Sequence, residues 1–202
     1  MRKLVVSIHS TANNIVTGPP SGDETDFMQW AHPGIEDSLD RFLESLDGVD
    51  TILLGRGTYE DLVRKWPLVG EWPDVSDVAL RIGEKINTTQ KVVVTGRHPL
   101  GTLAWGGFEP PIQITGAAVA EQIEELRRRD GGDIITFGSP VLVQSLTNAG
   151  LVDEYRIIVH PVLVNEGRRL FDDLEGRTDL RLVGVDTFAG GAMLVTYAPT
   201  RS

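Results

Sequence analysis

The chain contains no cysteine. Disulfide bridges, thiolate zinc sites and cysteine nucleophiles are excluded together. Basic residues are scarce: 19 Lys and Arg stand against 29 Asp and Glu, for a net charge of −10. Nucleic-acid binding needs a basic stripe that displaces counterions. The one basic cluster, Arg127–Arg129, ends a predicted helix, where cations simply suit the helix dipole. Nucleic acid is therefore not an expected partner. No apolar run approaches the roughly 18 to 20 residues that span a bilayer, so no membrane role is expected. The opening MRKLVVSIHS is too short and too β-branched for a secretory signal, and reads as the first strand of a cytoplasmic protein. His9, His32, His98 and His160 lie far apart and lack metal-ligand spacing, so no metal site is expected. His160, before Pro161 in a strand, reads as a packed structural residue.

What is present describes a globular chain. Its 202 residues form one domain by the usual size prior, spanning 1–202, and are enough to bury a full core. Buried strands are expected at Lys3–His9, Thr51–Leu54, Lys91–Thr95, Ile112–Thr115, Asp133–Phe137 and Asp153–Val164. A short edge strand is possible at Thr102–Trp105. Helical spacing runs from Ile35 through Leu39, Phe42, Leu43 and Leu46 to a stop at Gly48. Further helices are expected at Thr58–Trp66, halted by Pro67, and from an Asp74 or Ser76 cap to about Ile86. Two more follow at Ala117–Arg129 and Val141–Ala149, the last capped by Ser139. Leu180–Val185 and Ala192–Tyr197 read as an antiparallel hairpin joined through Gly190-Gly191. The fold class is thus α/β: three layers, α-β-α, around a mainly parallel mixed sheet with a C-terminal antiparallel hairpin.

In such sheets ligands bind beyond the carboxyl ends of the strands. Three expected strand ends carry similar punctuation: Gly55-Arg56-Gly57-Thr58, Thr95-Gly96-Arg97 and Gly138-Ser139-Pro140. Glycine allows close backbone approach. Arginine beside a hydroxyl residue at a helix start suits a phosphate, because free amides, the helix dipole and the guanidinium fork all favour an anion. Two such seats suit a dinucleotide, and an arginine with a hydroxyl suits the 2′-phosphate of NADP. Each motif alone is equally a structural turn. Neither G-x-G-x-x-G after the first strand nor a P-loop is present.

Leu53-Leu54-Gly55-Arg56-Gly57-Thr58-Tyr59-Glu60, Lys91–Arg97, Gly131–Ser139 and Leu151–Arg156, with His160-Pro161-Val162 and Gly167–Phe171, occur in that order. Together they resemble the dihydrofolate reductase-like superfamily. Within it the chain is similar to stand-alone relatives of the reductase (C-terminal) domain of the riboflavin-biosynthesis bifunctional deaminase-reductase. The resemblance implies a dihydrofolate reductase-like fold and NADPH as cofactor. By that resemblance Gly55, Arg56 and Thr58 hold cofactor phosphates, and Thr95, Gly96 and Arg97 the adenosine 2′-phosphate. Gly138, Ser139, Val141 and Leu142 cradle the pyrophosphate and nicotinamide side. A carboxylate near the first helix binds and helps protonate the substrate in dihydrofolate reductases. Asp26, with Trp30 beside it as a substrate-binding residue, is the corresponding candidate here. A carboxyl among aromatics is more easily protonated, which suits an acid.

Two features depart from the pattern. The stretch after the first strand, Ser10-Thr11-Ala12-Asn13-Asn14-Ile15, lacks the family's Ser-Leu-Asp-Gly-type turn, and the Asp-Asp-Pro-x-Leu run of the pathway enzyme is missing. The expected function is NADPH-dependent reduction of a small pterin- or pyrimidine-like heterocycle by direct hydride transfer. The alternatives are a non-catalytic nucleotide or small-molecule binding protein and a dimeric interaction module. The expected partners are a small-molecule substrate and, through an exposed C-terminal strand edge, a second copy in a homodimer.

Overall fold

The computed structural model describes residues 1–17, 29–31 and 35–200. Asp26, the expected acid, lies outside the described residues.

Eight strands form one sheet in the order β4-β3-β2-β5-β1-β6-β8-β7. They are β1 (Leu4–Thr11), β2 (Val49–Gly55), β3 (Gln90–Val94), β4 (Ile112–Ile114), β5 (Asp133–Thr136), β6 (Glu154–His160), β7 (Leu180–Thr187) and β8 (Met193–Pro199). The pairs from β4 to β6 are all parallel, whereas β8 runs antiparallel to both β6 and β7. Among the described residues five α-helices connect them: α1 (Leu39–Ser45), α2 (Arg56–Leu62), α3 (Asp77–Thr88), α4 (Val119–Arg128) and α5 (Pro140–Asn148). The expected three-layer α/β class is what the chain adopts.

Alternation along the strands divides the core in two. Leu4 and Val6, Leu53, Val92 and Ile134 face one side, where Ile123 of α4 and Leu142, Val143 and Leu146 of α5 cover them. Val5, Ile52, Leu54, Val93 and Ile135 face the other, beneath Leu43 of α1, Tyr59 of α2 and Ile82 and Ile86 of α3. Strands buried on both faces read as continuous apolar runs, which is why β1, β2, β3 and β5 were visible in the sequence.

Several boundaries differ from expectation. The helix expected from Ile35 is a 3-10 turn at Glu36–Ser38 that passes into α1. α2 starts at Arg56, two residues early, with Gly55 as its N-cap. It ends at Leu62, and Pro67 lies inside a 3-10 turn, Trp66–Glu71. That turn suits proline, whose missing N–H is not needed in a first turn. Ser76, not Asp74, caps α3 by accepting from the Ala79 amide. Thr102–Trp105 is not a strand. Trp105 is buried, and its indole N–H donates to Asn87 Oδ1 at 2.8 Å. Arg127 is more than a favourable surface charge: it is buried and donates to Asp153 Oδ2 at 2.5 Å.

Candidate functional site

The sheet order decides where a site forms. From β2 the chain winds outward to β3 and β4, then returns to insert β5 between β2 and β1. The next crossover, from β5 to β6, passes over β1 in the opposite direction. Strand order reverses at this point, and a crevice opens beyond the carboxyl ends. Because β3, β2 and β5 are neighbours, the turns at Thr95-Gly96, Gly55-Arg56 and Gly138-Ser139 come to one rim.

A groove of about 550 Å³ lies there. Gly55, Arg56, Thr95, Gly96, Ser139, Val141 and Leu142 all line it. Its floor is apolar, with Ile123, Leu146 and Leu151. Arg56 is the single charged residue among the described residues that line it. In a protein of net charge −10, the groove thus carries one cation and no carboxylate.

Three expected residues sit elsewhere. Thr58 is half-buried in the first turn of α2, away from the groove lining. Arg97 projects into solvent one residue beyond Gly96. Gly138 is buried at φ +100° and is not on the groove lining; a Cβ there would lie 3.4 Å from Ile8 Cδ1.

Local geometry explains the shape. Gly55 has no room for a side chain: a Cβ there would fall 2.3 Å from Ser139 Oγ. Glycine at this position lets the ends of β2 and β5 close together. Ser139 holds φ +62° and ψ 93°, unusual for a residue with a side chain. It occupies the N-cap of α5, but its hydroxyl makes no capping bond, contrary to expectation. Pro140 has no N–H, and the Val143 amide bonds to Ser139 O at 3.0 Å. The amides of Val141 and Leu142 are therefore the open donors of α5. Free amides at a helix start attract an anion.

Across the groove the Thr95 hydroxyl donates to Gln113 Oε1 at 3.2 Å, and Gly96 turns at φ +65°. Arg56 Nε donates to Glu60 Oε1 at 2.9 Å, leaving its two terminal amino groups for a ligand. These residues fit a nucleotide phosphate: there are open amides, a cation whose partner Glu60 lies off the groove lining, and backbone stripped of side chains.

A second cluster was not legible in the sequence. His9, near the end of β1, and His160, the last residue of β6, lie on adjacent parallel strands. His9 Nδ1 and His160 Nε2 share a hydrogen bond of 2.8 Å, and the rings stack with centroids 5.1 Å apart. These histidines are partners, not distant as their spacing implied. Trp30 sets its edge against His160 at 5.5 Å. Its indole nitrogen is buried and has no hydrogen-bond partner among the described residues. Burial, then the nearby His160 imidazole, pushes His9 down to about 3. Burial also lowers His160. Both rings are accordingly neutral near pH 7. His9 ends one expected strand and His160 precedes the Pro161 that interrupts another, which was the available signal. Only the pairing of β1 with β6 makes them neighbours.

The stretch after β1 is fastened rather than loose. Asn13 donates from Nδ2 to Val164 O at 2.7 Å and accepts at Oδ1 from the Val164 amide at 3.3 Å. The Val16 amide donates to Arg168 O at 2.9 Å. Gly167 permits this approach, since a Cβ there would meet Thr17 O at 2.1 Å.

A doubly wound sheet with its groove at the β2/β5 reversal and an antiparallel C-terminal pair defines the dihydrofolate reductase-like fold. The dihydrofolate reductase of Enterococcus faecalis, solved with NADP(H), has it too, at a TM-score of 0.57 and 16% identity over 98% of this chain and 97% of that one. A pyrimidine reductase-like protein of Corynebacterium diphtheriae is similar at a TM-score of 0.63 and 16% identity, covering 100% of this chain and 93% of that one. Residues 17–194 match the model of the RibD C-terminal domain, and the chain belongs to that family. The uncharacterized protein YyaP of Bacillus subtilis (strain 168) is 26% identical over 196 residues, 97% of this chain and 94% of that protein.

Proposed function

We propose that this protein is an NADPH-dependent oxidoreductase that reduces a small heterocycle, pterin- or pyrimidine-like, by direct hydride transfer. The observation that carries the proposal is the groove at the β2/β5 reversal, which the open amides at the start of α5 share with the Arg56 guanidinium. Membership in a family of nicotinamide-dependent reductases supports it. NADPH, when bound, supplies the hydride. Val141 and Leu142 offer their amides to the pyrophosphate, and Gly55 and Ser139 bring the backbone close enough to touch it. Gly138, behind Ser139, keeps that turn tight. Arg56 neutralises phosphate charge, with Thr58 at the same helix start. Thr95, Gly96 and Arg97 hold the 2′-phosphate, for which Arg97 is the exposed guanidinium at the right turn. Asp26 is the proposed acid, and Trp30 a wall of the substrate site.

Calorimetric titration with NADPH and NADH tests this reading. NADPH should bind the tighter of the two. Arg97→Ala should reduce that preference about tenfold, the loss of one charge-assisted contact. Equal affinity of the Arg97→Ala and Arg56→Ala proteins with the unaltered chain overturns the assignment. Absorbance loss from NADPH over a panel of pterins, folates, flavins and pyrimidines then identifies the acceptor.

A homodimer belongs to the same proposal. Every residue of β7 is exposed, and Leu182, Val183 and Val185 offer an apolar outer edge strand. Light scattering on the purified chain should give twice the 22.1 kDa mass.

A further inference from the structure

The sheet is covered unevenly. On one face α5 and Phe171 close over Tyr155 of β6, and that cover ends at Ile157 and Tyr197. Cross-strand pairs carry the same face outward: Val195 lies opposite Ile157, Leu182 opposite Tyr197 and Val185 opposite Val195. Alternation puts all of them on one side of the sheet. Leu182 is 54% exposed and Val185 49%, with Leu180 and Met193 also exposed on this side. Two strands thus present an apolar face with no layer over it among the described residues. Their reverse side is occupied. Leu194 and Ala192 are buried there with Ile158 and Phe188. Asp186 pairs with Arg41 at 3.0 Å, and the Gly190 amide donates to Asp37 Oδ2 at 2.7 Å.

Charge decides what can cover this face. The two charged residues of β7 and β8, Arg181 and Asp186, both stand on the reverse side, so the apolar face carries no charge of its own. The whole chain has a net charge of −10, and a second copy brought up to its acidic surface is repelled. A cationic partner finds no carboxylate here to pair with, and an anionic lipid surface repels the chain as a whole. A second copy that presents the same uncharged face meets neither obstacle, and a two-fold contact is self-complementary by symmetry. Strand pairing at the open edge of β7 is a poorer fit. The register skips Val183 between Leu182 and Gly184, and such a bulge twists an edge away from an incoming strand.

We propose that the uncovered face of β7 and β8 packs flat on the same face of a second copy, sheet against sheet about a two-fold axis, with Leu182 and Val185 at its centre. This rests on the homodimer reading above and names the surface that makes the dimer. The contact is an aligned packing of two sheets about 10 Å apart, with side chains of the two faces interdigitating. The outer backbone groups of β7 stay open to water. The cofactor groove at the β2/β5 reversal is separated from β8 by β1 and β6, and takes no part in the contact.

Sedimentation of the full chain at micromolar concentration tests the contact, and should give twice the 22.1 kDa mass. Leu182→Lys and Val185→Lys each bring like charges together near the axis. Each should weaken the dimer at least tenfold, toward a 22.1 kDa monomer. Both side chains are exposed in the single chain, so the variants should fold, which circular dichroism reads without reference to the cofactor. Arg181→Glu, on the reverse side of the same strand, should leave the mass unchanged. Hydrogen exchange separates face from edge. The β7 amides that point away from β8 should exchange as freely in the dimer as in the Leu182→Lys monomer. A dimer that survives both lysine substitutions, or that protects those amides, overturns the proposal and leaves the homodimer reading standing. An unaltered chain that stays monomeric overturns both.

Discussion

The two rims of the sheet are built on opposite principles. At the amino ends of the strands, the charged groups that are buried have partners. Arg2 donates to Gly132 O at 2.7 Å and Thr51 Oγ1 at 2.6 Å and pairs with Asp50, whose other oxygen accepts the Gly132 amide. Arg127 joins Asp153, which also accepts the Leu4 amide at 2.9 Å. Lys91, almost fully buried, donates to the Asn87 and Ile86 carbonyls that end α3, with Trp105 4.9 Å away. At the carboxyl ends the balance reverses: among the described residues there are open amides on α5, an exposed Arg97, an indole N–H without a partner and two imidazoles bonded only to each other. One rim uses its polar groups for stability, and the other keeps them available to a ligand. The separation means that mutations at the two ends should have different readouts.

The largest effect is expected at the satisfied rim. Arg127→Met leaves Asp153 without its guanidinium and should cost about 3 kcal/mol in urea unfolding, the scale for breaking a buried pair. NADPH affinity of the folded protein should not change. A loss of affinity equal to the loss of stability would erase the distinction between rims.

Next comes Gly55→Ala at the open rim. Its Cβ collides with Ser139, at an overpacking cost of about 1 to 3 kcal/mol. Here NADPH affinity should fall along with stability, because the groove itself closes.

Lys91 provides a pH test of the satisfied rim. Burial lowers it to about 8, below its value in the unfolded chain. Between pH 8 and about 10.4 the unfolded state binds the extra proton, so its contribution to stability rises with pH over that window. Relative to the unaltered chain, Lys91→Met should be least unfavourable below pH 8 and lose ground as pH increases. His9 has the same sign lower on the scale. Its contribution is present above pH 6.5 and is lost as pH falls toward 3, so His9→Gln should flatten acid unfolding across that range.

The smallest stability change is expected for Arg56→Ala. Its pair with Glu60 is half-exposed, and such pairs contribute about 0.5 kcal/mol or less. Its effect should appear in NADPH titration and barely in unfolding, which would sharpen the contrast with Arg127.

The groove was largely readable in advance because its parts are short and local. Gly55-Arg56, Thr95-Gly96 and Gly138-Ser139 each mark a strand end, and the backbone needs glycine there for reasons that operate over a few residues. Thr58 and Gly138 followed the same motifs yet line no groove, since a motif does not say which way a helix turn faces. Ser139 has the residue type of a cap, but at φ +62° and ψ 93° its hydroxyl makes no capping bond. Trp105 and Lys91 gave no signal of belonging together, being brought side by side by the loop from 96 to 111.

Composition and hydrophobic period alone determined the α/β class, the doubly buried strands, the antiparallel tail and the glycine-punctuated turns. These depend on neighbours a few residues apart, where period and turn chemistry act directly. Tertiary structure decided that β5 enters between β2 and β1, and so which turns share a rim. It also decided that His9 meets a histidine 151 positions away. Such contacts follow from strand pairing order, a property of the whole sheet that no local stretch of chain encodes.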